Sequence, residues 1–570
     1  MANVNGEWLD REARQKRIEL LEATDAKLER LRQAGELRPS QLNTLVSNKK
    51  ELIRLKRIHR AEYDVLYFTY EYFSEEGNPG NPSNLIPQGQ TFAGAAKFHK
   101  ELCGLLDDVS KGETESHIGW SVGRRHAKTA YLSNAYVCHQ VVFRLKKYIA
   151  IISQTTDMAG DFASWTRFQL KHNIKLREDF GELLSVRASQ NELDNKTEFI
   201  TSGGTKVEAK GVGTQVRGMR YLNHRPDLFI LDDLESNENT NTAELRAKNL
   251  RWFRSEMLEA LGFGGMAIYM GTIVHYDSLL NHVLTKRRDF TSRKFPAILS
   301  WSEREDLWQE WREIYNEDNE DAKKNADEFY ESNKDEMLRG TEVLWPQMYS
   351  YKYFMEKREE MGAREFNQEY LGNPTDESSQ IFHISDEHGY FYPDEVKHID
   401  FDFYCGIDFA MGKERGDYSA IITVARNKAT GVNYVWDTFI ERVHPDKLLE
   451  KAAELAMKYQ YEGMAVEAQM AQEWWADQLS KELKRRGYPA DTRVRYDKQK
   501  LNKQLRIETM VGDINRGHVK FQRHQRLLID MLEMYPNHNH DDGPDALQMA
   551  LNISGEIGNQ VRTVKRMNRW

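Results

Sequence analysis

FYCGIDFA at 403–410 and DDGPDAL at 541–547 decide the reading of the C-terminal part of this chain, and LFILDD at 228–233 decides that of the N-terminal part. Each sets an acid inside an apolar run or at its end. Asp408 stands between Ile407 and Phe409. A carboxylate there is costly unless it meets a metal or a partner. Asp542 and Asp545 are spaced i and i+3 at the start of the apolar run ALQMALNI, so a helix presents both on one face.

Outward from Asp408 the pattern is strand-rich: FDFYCGIDFA, YSAIITVAR, NYVWDTFI, a helix, then GMAVEA, which ends at Glu467 as the first strand does at Asp408. A carboxylate mid-strand, a second at another strand end and a pair on a late helix is the pattern of an RNase H-like (integrase/resolvase-type) nuclease, in which two Mg²⁺ or Mn²⁺ ions are held by the acids. The metal ligands expected are Asp408, Glu467 and Asp545, with Asp542 completing the site; the first three are the catalytic acids. His540 and Asp541 are adjacent candidates, and helix capping competes for Asp541 and Asp542. Asp417, after Gly416, reads as a turn residue. The basic segment YDKQKLNKQLRIE at 496–508, with Lys498, Lys500, Lys503 and Arg506, reads equally as phosphate contacts or as a solvated helix face. A hairpin-like turn is expected at NRGHVKF.

In the N-terminal half, HIGWSV, YIAIIS, LFILDD and MAIYMGT alternate with helical stretches, which argues for a mainly parallel sheet covered on both faces. SVGRRHAKTA at 121–130 follows a strand and precedes a helix. A phosphate-binding loop needs backbone amides, a lysine for the β/γ-phosphates and a hydroxyl for magnesium. Gly123, Arg125, His126, Ala127, Lys128 and Thr129 are the expected nucleotide-binding residues. Val122 and Ala127 stand where the strict pattern has glycines. Asp232 is placed to hold Mg²⁺ with Thr129. Asp233 would orient the attacking water, with Glu235 as the alternative base. Thr272, after Gly271, is placed to sense the γ-phosphate. Arg124 reads as a catalytic arginine acting in cis, and Arg125 equally as a phosphate clamp. ISQTTDMAGD resembles a helicase-type strand end, and Arg217 and Arg220 in GVGTQVRGMR could serve a neighbour's nucleotide or DNA.

Length demands more than one core. Three scattered cysteines exclude a disulfide framework and fit a reducing cytoplasm. No run has the apolar length of a membrane span, and the N-terminus has no apolar signal core. The net charge of −9 speaks against a uniformly DNA-binding surface but permits a local basic groove. Residues 8–34 form a charged helical pattern with Leu9, Ile18, Leu21, Leu28 and Leu31 on one stripe, continued at 40–60 into a basic end; it reads as an arm packed on the body, and the competing reading is a docking arm for a partner protein or DNA. The expected divisions are a helical arm at 1–84, a P-loop core at 85–300, a helical subdomain and linker at 301–394, a nuclease at 395–560 and a basic tail at 561–570, with 374–395 separable as a linker.

GRRHAKT at 123–129, VRGMR and RPDLFILDD within 216–233, MGT at 270–272, the connector LWPQMYSYKYFMEKREEMGAREFNQEYLGNP at 344–374, GIDFAMGKERGDYSA at 406–420 and HDDGPDALQMA at 540–550 together resemble the large subunit of a tailed-phage terminase. The resemblance spans roughly 85–560. It implies an α/β chain with a P-loop (RecA/ASCE-like) ATPase followed by an RNase H-like nuclease. The implied activity is ATP-driven packaging of double-stranded DNA with metal-dependent cutting of concatemers. The implied cofactors are ATP, Mg²⁺ for the ATPase and two Mg²⁺ or Mn²⁺ for the nuclease. The implied partners are a portal protein, a small terminase subunit and further copies in a ring, typically a pentamer, on the procapsid. The implied place is the bacterial host's cytoplasm, transiently at the portal vertex, with no membrane. Competing readings are a repair helicase-nuclease or resolvase, and a capsid-vertex protein with a degenerate ATPase.

Overall fold

The computed structural model describes residues 2–4, 7–317, 319–374, 380–409, 418–467, 471–497, 503–536 and 540–567. Asp417, Lys498 and Lys500 lie outside the described residues. The chain divides into two units: 1–300 with 342–354 and 367–374, and 301–341 with 355–366 and 375–570.

In the first unit, helices α1 (Arg11–Gln33), α2 (Pro39–Ala61) and α3 (Val65–Phe73) precede the sheet. Arg57 of α2 turns inward and pairs with buried Asp179 at 2.6 Å, where Tyr72 also donates. Part of the basic end of the expected arm is therefore a structural tie. Leu55, Ile58, Val65, Phe68 and Phe73 are buried in the same cluster as the sheet residues Ile118, Trp120 and Ile151. The expected boundary at 84 thus falls after residues that already belong to the core.

The sheet strands are β1 (His117–Val122), β2 (Tyr148–Ser153), β3 (Leu193–Asp194), β4 (Glu198–Ile200), β5 (Lys206–Gly211), β6 (Leu228–Asp232), β7 (Met266–Gly271) and β8 (Phe290–Phe295). Their spatial order is β8-β1-β7-β6-β2-β5-β4-β3. From β8 to β5 all neighbours are parallel; β4 and β3 add an antiparallel edge. Parallel pairing explains the unbroken apolar runs, since both faces are covered. Leu228 and Ile230 enter one hydrophobic cluster, Phe229 and Leu231 the other. One strand, β7, separates β1 from β6. This puts the loop after β1 and the acids after β6 at the same carboxyl edge, where open α/β sheets bind ligands. Helix α4 (Leu279–Lys286) follows β7.

The second unit includes the charged helices α5 (Glu305–Tyr315) and α6 (Ala322–Met337). Its sheet is built from β9 (Phe401–Asp408), β10 (Ser419–Asn427), β11 (Asn433–Glu441), β12 (Gly463–Glu467), β13 (Val494–Asp497) and β14 (Val519–Lys520), in the order β13-β12-β9-β10-β11-β14. The first three strands form an antiparallel meander; β12 and β13 extend it in parallel beyond β9. Helices α7 (Lys503–Glu508), α8 (Arg526–Glu533) and α9 (Asp542–Met567) follow β13. The hairpin expected at NRGHVKF does not form. Val519–Lys520 pairs in parallel with β11 at Asn433 and Tyr434, because the chain has crossed to the far edge of the sheet. Helix α9 runs through much of the expected tail. Among the described residues, no helix is long and apolar enough to cross a membrane.

A buried ion network binds the helical part of this unit to its sheet part. Arg312 of α5 reaches Glu359 at 2.5 Å and Asp530 of α8 at 2.6 Å. Residues 301–341 and 355–366 are thus integral to the second unit, and a cut in the expected linker at 374–395 would strip Asp530 of Arg312. Removing one member of a buried ion network leaves the others uncompensated, typically at about 3–5 kcal/mol. Arg312→Leu should lower the stability of the second unit by about that amount. Scanning calorimetry checks it, and unchanged melting would remove the network from the account of stability.

Candidate active sites

At the carboxyl edge of the first sheet, the loop 123–129 joins β1 to a helical segment starting at Ala130. A Cβ on Gly123 would lie 2.5 Å from the carbonyl oxygen of Tyr370, so no larger residue fits. Arg125 and Ala127 have φ of +65° and +58°. Ala127 therefore holds, as an L-residue, the left-handed conformation for which the strict pattern uses glycine, at roughly 1–2 kcal/mol. His126 stabilises the turn. Its Nδ1 lies 2.8 Å from the Arg124 carbonyl and 3.1 Å from that of Gly123, and its ring stacks on Phe354. Burial lowers its pKa, so the ring is a neutral donor to those carbonyls. Its side chain is a loop brace, and only its backbone is left for phosphate.

Lys128 is buried, 2.9 Å from Asp233 and 3.2 Å from the Thr272 hydroxyl. Asp233 also accepts from the Thr272 amide at 3.1 Å. Ser133 donates to Asp232 at 2.6 Å, and Thr129 also bonds to it. Burial and the adjacent Asp233 charge push the Asp232 pKa up to about 6. Its Oδ1 is buried with no hydrogen-bond partner among the described residues. An orphaned carboxylate oxygen beside Thr129 fits a Mg²⁺ ligand pair. Glu235 is differently employed. It accepts from the amides of Leu279 and Leu280 at 2.8 and 3.0 Å, capping α4. That leaves Asp233, not Glu235, facing the loop. Arg124 is largely exposed and pairs with Glu369; Arg125 donates to Tyr353 at 3.3 Å. Arg217 and Arg220 line an open cavity of about 570 Å³ with Lys206 and Lys210. Gln154, from the helicase-like segment, donates to Ser236 at 2.8 Å.

In the second unit, β9 and β12 run in parallel register up to Ile407 opposite Val466. Asp408 and Glu467 are the next residues on each strand and leave the sheet side by side. Gly406 shares Asp408's face. A Cβ there would collide with the Ala546 carbonyl oxygen and lie 2.7 Å from the Ala550 amide. The missing side chain lets α9 lie flush on β9, which delivers Asp545 to the strand ends. One oxygen each of Asp408, Glu467 and Asp545 lies within 4.8 Å of the others, and all three residues are buried. Such a buried all-oxygen donor set fits hard divalent ions.

Asp542 is buried in the first turn of α9 but is not among the acids that converge. Asp541 precedes the helix and pairs with Lys503 at 2.8 Å. His540 lies 3.3 Å from Arg442. Lys503 also lies 3.3 Å from Asp408 and 3.5 Å from Asp545, while buried Arg506 lies 3.1 Å from both Asp545 oxygens. Both cations face the acids; Arg506 is buried, and Lys503 is about one-third exposed. Nothing in their spacing announced it; only the basic character of 496–508 pointed to them.

Residues 405–553 match the family model of the terminase RNase H-like domain. No curated protein matches the chain. Among solved structures, the large terminase of a thermophilic bacteriophage in complex with ADP aligns over 81% of this chain and 99% of its own, at 11% identity and a TM-score of 0.29. The Mn-soaked terminase nuclease domain of human cytomegalovirus aligns over 31% of this chain and 94% of its own, at 14% identity and a TM-score of 0.23. The Mn-bound nuclease domain of the bacteriophage SPP1 large terminase aligns over 29% and 93%, at 15% identity and a TM-score of 0.22.

Burial, with Glu467 beside it, pushes the Asp408 pKa up to about 7 against the opposing pull of Lys503. A raised carboxyl pKa favours the fold at low pH, and that contribution is lost as pH rises from 3.8 through 7. Asp408→Asn should therefore melt at a higher temperature than the wild type in EDTA at pH 8, with the gap narrowing toward pH 4. Paired thermal melts across that range check the sign; a gap that is absent, or constant with pH, contradicts it.

Proposed function

We propose that this chain is a large terminase subunit, an ATP-driven motor for double-stranded DNA packaging that also cuts the DNA with a metal-dependent nuclease. The observation that carries the reading is the convergence of Asp408, Glu467 and Asp545 inside the stretch that matches the terminase RNase H-like domain. The phosphate-binding loop in the first unit, with Lys128 at the strand-end acids, supports the motor half.

In the motor, Lys128 would neutralise the β/γ-phosphates of ATP, and Thr129 with Asp232 would hold its Mg²⁺. When Lys128 turns to phosphate it releases Asp233, which then orients the attacking water. Thr272, bonded to both Lys128 and Asp233, is set to register that exchange. Arg124 is the arginine we assign to the transition state in cis. In the nuclease, Asp408, Glu467 and Asp545 would hold two Mg²⁺ or Mn²⁺ ions, which supply an activated water and charge stabilisation at the leaving oxygen. Arg506 fixes the orientation of Asp545. The chain's partners on this reading are DNA, a portal protein, a small terminase subunit and further copies in a pentameric ring on the procapsid. It acts in the bacterial host's cytoplasm, transiently at the portal vertex.

The two chemistries should separate by mutation. Lys128→Ala should lower ATP turnover at least 100-fold, about 3 kcal/mol, and spare Mn²⁺-dependent plasmid nicking. Asp408→Asn should do the reverse. Both activities are measured on each full-length variant. Unchanged turnover in Lys128→Ala removes the loop assignment, and persistent nicking by Asp408→Asn removes the nuclease site.

A further inference from the structure

The nuclease acids already hold a cation of the protein's own. The Lys503 ammonium stands 2.8 Å from Asp541, 3.3 Å from Asp408 and 3.5 Å from Asp545. Two of these acids belong to the metal cluster. The side chain is one-third exposed, so it is seated in the cluster yet retains a path to solvent. Arg506 is different: it is buried, faces both oxygens of Asp545, and has no such path.

We propose that Lys503 is a resident counter-ion of the nuclease, which a divalent metal must displace and which then takes a phosphate of the bound DNA. The inference rests on the nuclease reading of this site. Its physical basis is competition for space and charge. A metal that touches both Asp408 and Asp545 needs the region the ammonium now fills, and a divalent ion beside an ammonium in a buried site is strongly repelled. Lysine suits the exchange, because its compact charge sits on a flexible four-carbon stem, whereas a guanidinium is held by its fork. The expelled ammonium lies at the edge of the carboxylate cluster, where a cleavable phosphate must approach. DNA then stabilises the expelled state, and metal stabilises the DNA-competent state. The two ligands bind cooperatively, with the same coupling factor in either order. Without DNA the lysine keeps metal occupancy, and so stray cutting, low.

Two measurements on the full-length protein test this. The first counts free Mn²⁺ by electron paramagnetic resonance in wild type, Lys503→Met and Lys503→Gln, with Asp408→Asn giving the background from all other sites. Removing the ammonium should tighten Mn²⁺ binding above that background about tenfold. Wild type indistinguishable from Asp408→Asn, with the Lys503 variants equally so, would overturn the nuclease metal site itself. Equal or weaker Mn²⁺ binding in the Lys503 variants, with wild type above background, would overturn the exchange and leave the site standing. The second measurement needs no variant: the acylation rate of Lys503 in wild type, read by mass spectrometry. Lys503 should be slow to react in EDTA, several-fold faster in Mn²⁺, and protected again when a short duplex is added with Mn²⁺. A rate that Mn²⁺ does not raise overturns expulsion. A rate that the duplex does not lower overturns the phosphate contact.

Discussion

A carboxylate buried at the end of a β-strand is costly unless a cation stands beside it, and both units are organised around that constraint. In the first, Asp232 and Asp233 end β6 and Lys128 arrives from the loop after β1. In the second, Asp408 and Glu467 end β9 and β12, Asp545 arrives on α9, and Lys503 and Arg506 on α7. The acids are brought together by sheets whose parallel strands end at a common edge. The cations come from segments distant in sequence. In each site a lysine side chain stands against the strand-end acids, Lys128 at Asp233 and Lys503 at Asp408 and Asp545.

The loop 123–129 takes up left-handed backbone conformations without glycine at those positions. Gly123, one residue after the position of the strict pattern's first glycine, lies where the Tyr370 carbonyl leaves no room for a Cβ. Where the strict pattern has a glycine stands Ala127, held left-handed between the buried His126 brace and the seated Lys128. Strain of this kind persists only where the surroundings over-determine the backbone. Gly406 plays the corresponding part in the second unit, since only a hydrogen there lets a helix backbone touch the strand.

Basic residues that look solvated in the sequence are used inside. Arg57 closes on Asp179, Arg312 on Glu359 and Asp530, and Lys503 on the nuclease acids. Local composition cannot distinguish these from surface charge, because the partner of each lies tens to hundreds of residues away. The same separation explains why the helices at 301–341 read as a subdomain before a linker, yet share a buried ion network with α8.

What the sequence determined by itself was the local grammar. Unbroken apolar runs ending in acids gave the strands β6, β9 and β12, because burial on both faces leaves no polar alternation. The strand, the loop with lysine and threonine, and the helix at 117–136 were legible as elements. Acids at i and i+3 before ALQMALNI marked α9. Asp408, Glu467 and Asp545 were legible for the same reason: each breaks an apolar pattern at a cost that needs compensation. Only the tertiary structure decided which neighbouring acids converge. It brought Asp408, Glu467 and Asp545 together and committed Glu235 to capping α4. It set Val519–Lys520 in parallel at the far edge, and it brought Lys503 and Arg506 into the site. Those outcomes depend on strand order, register and the close approach at Gly406, which are set by packing between distant segments and leave no periodic trace in the chain.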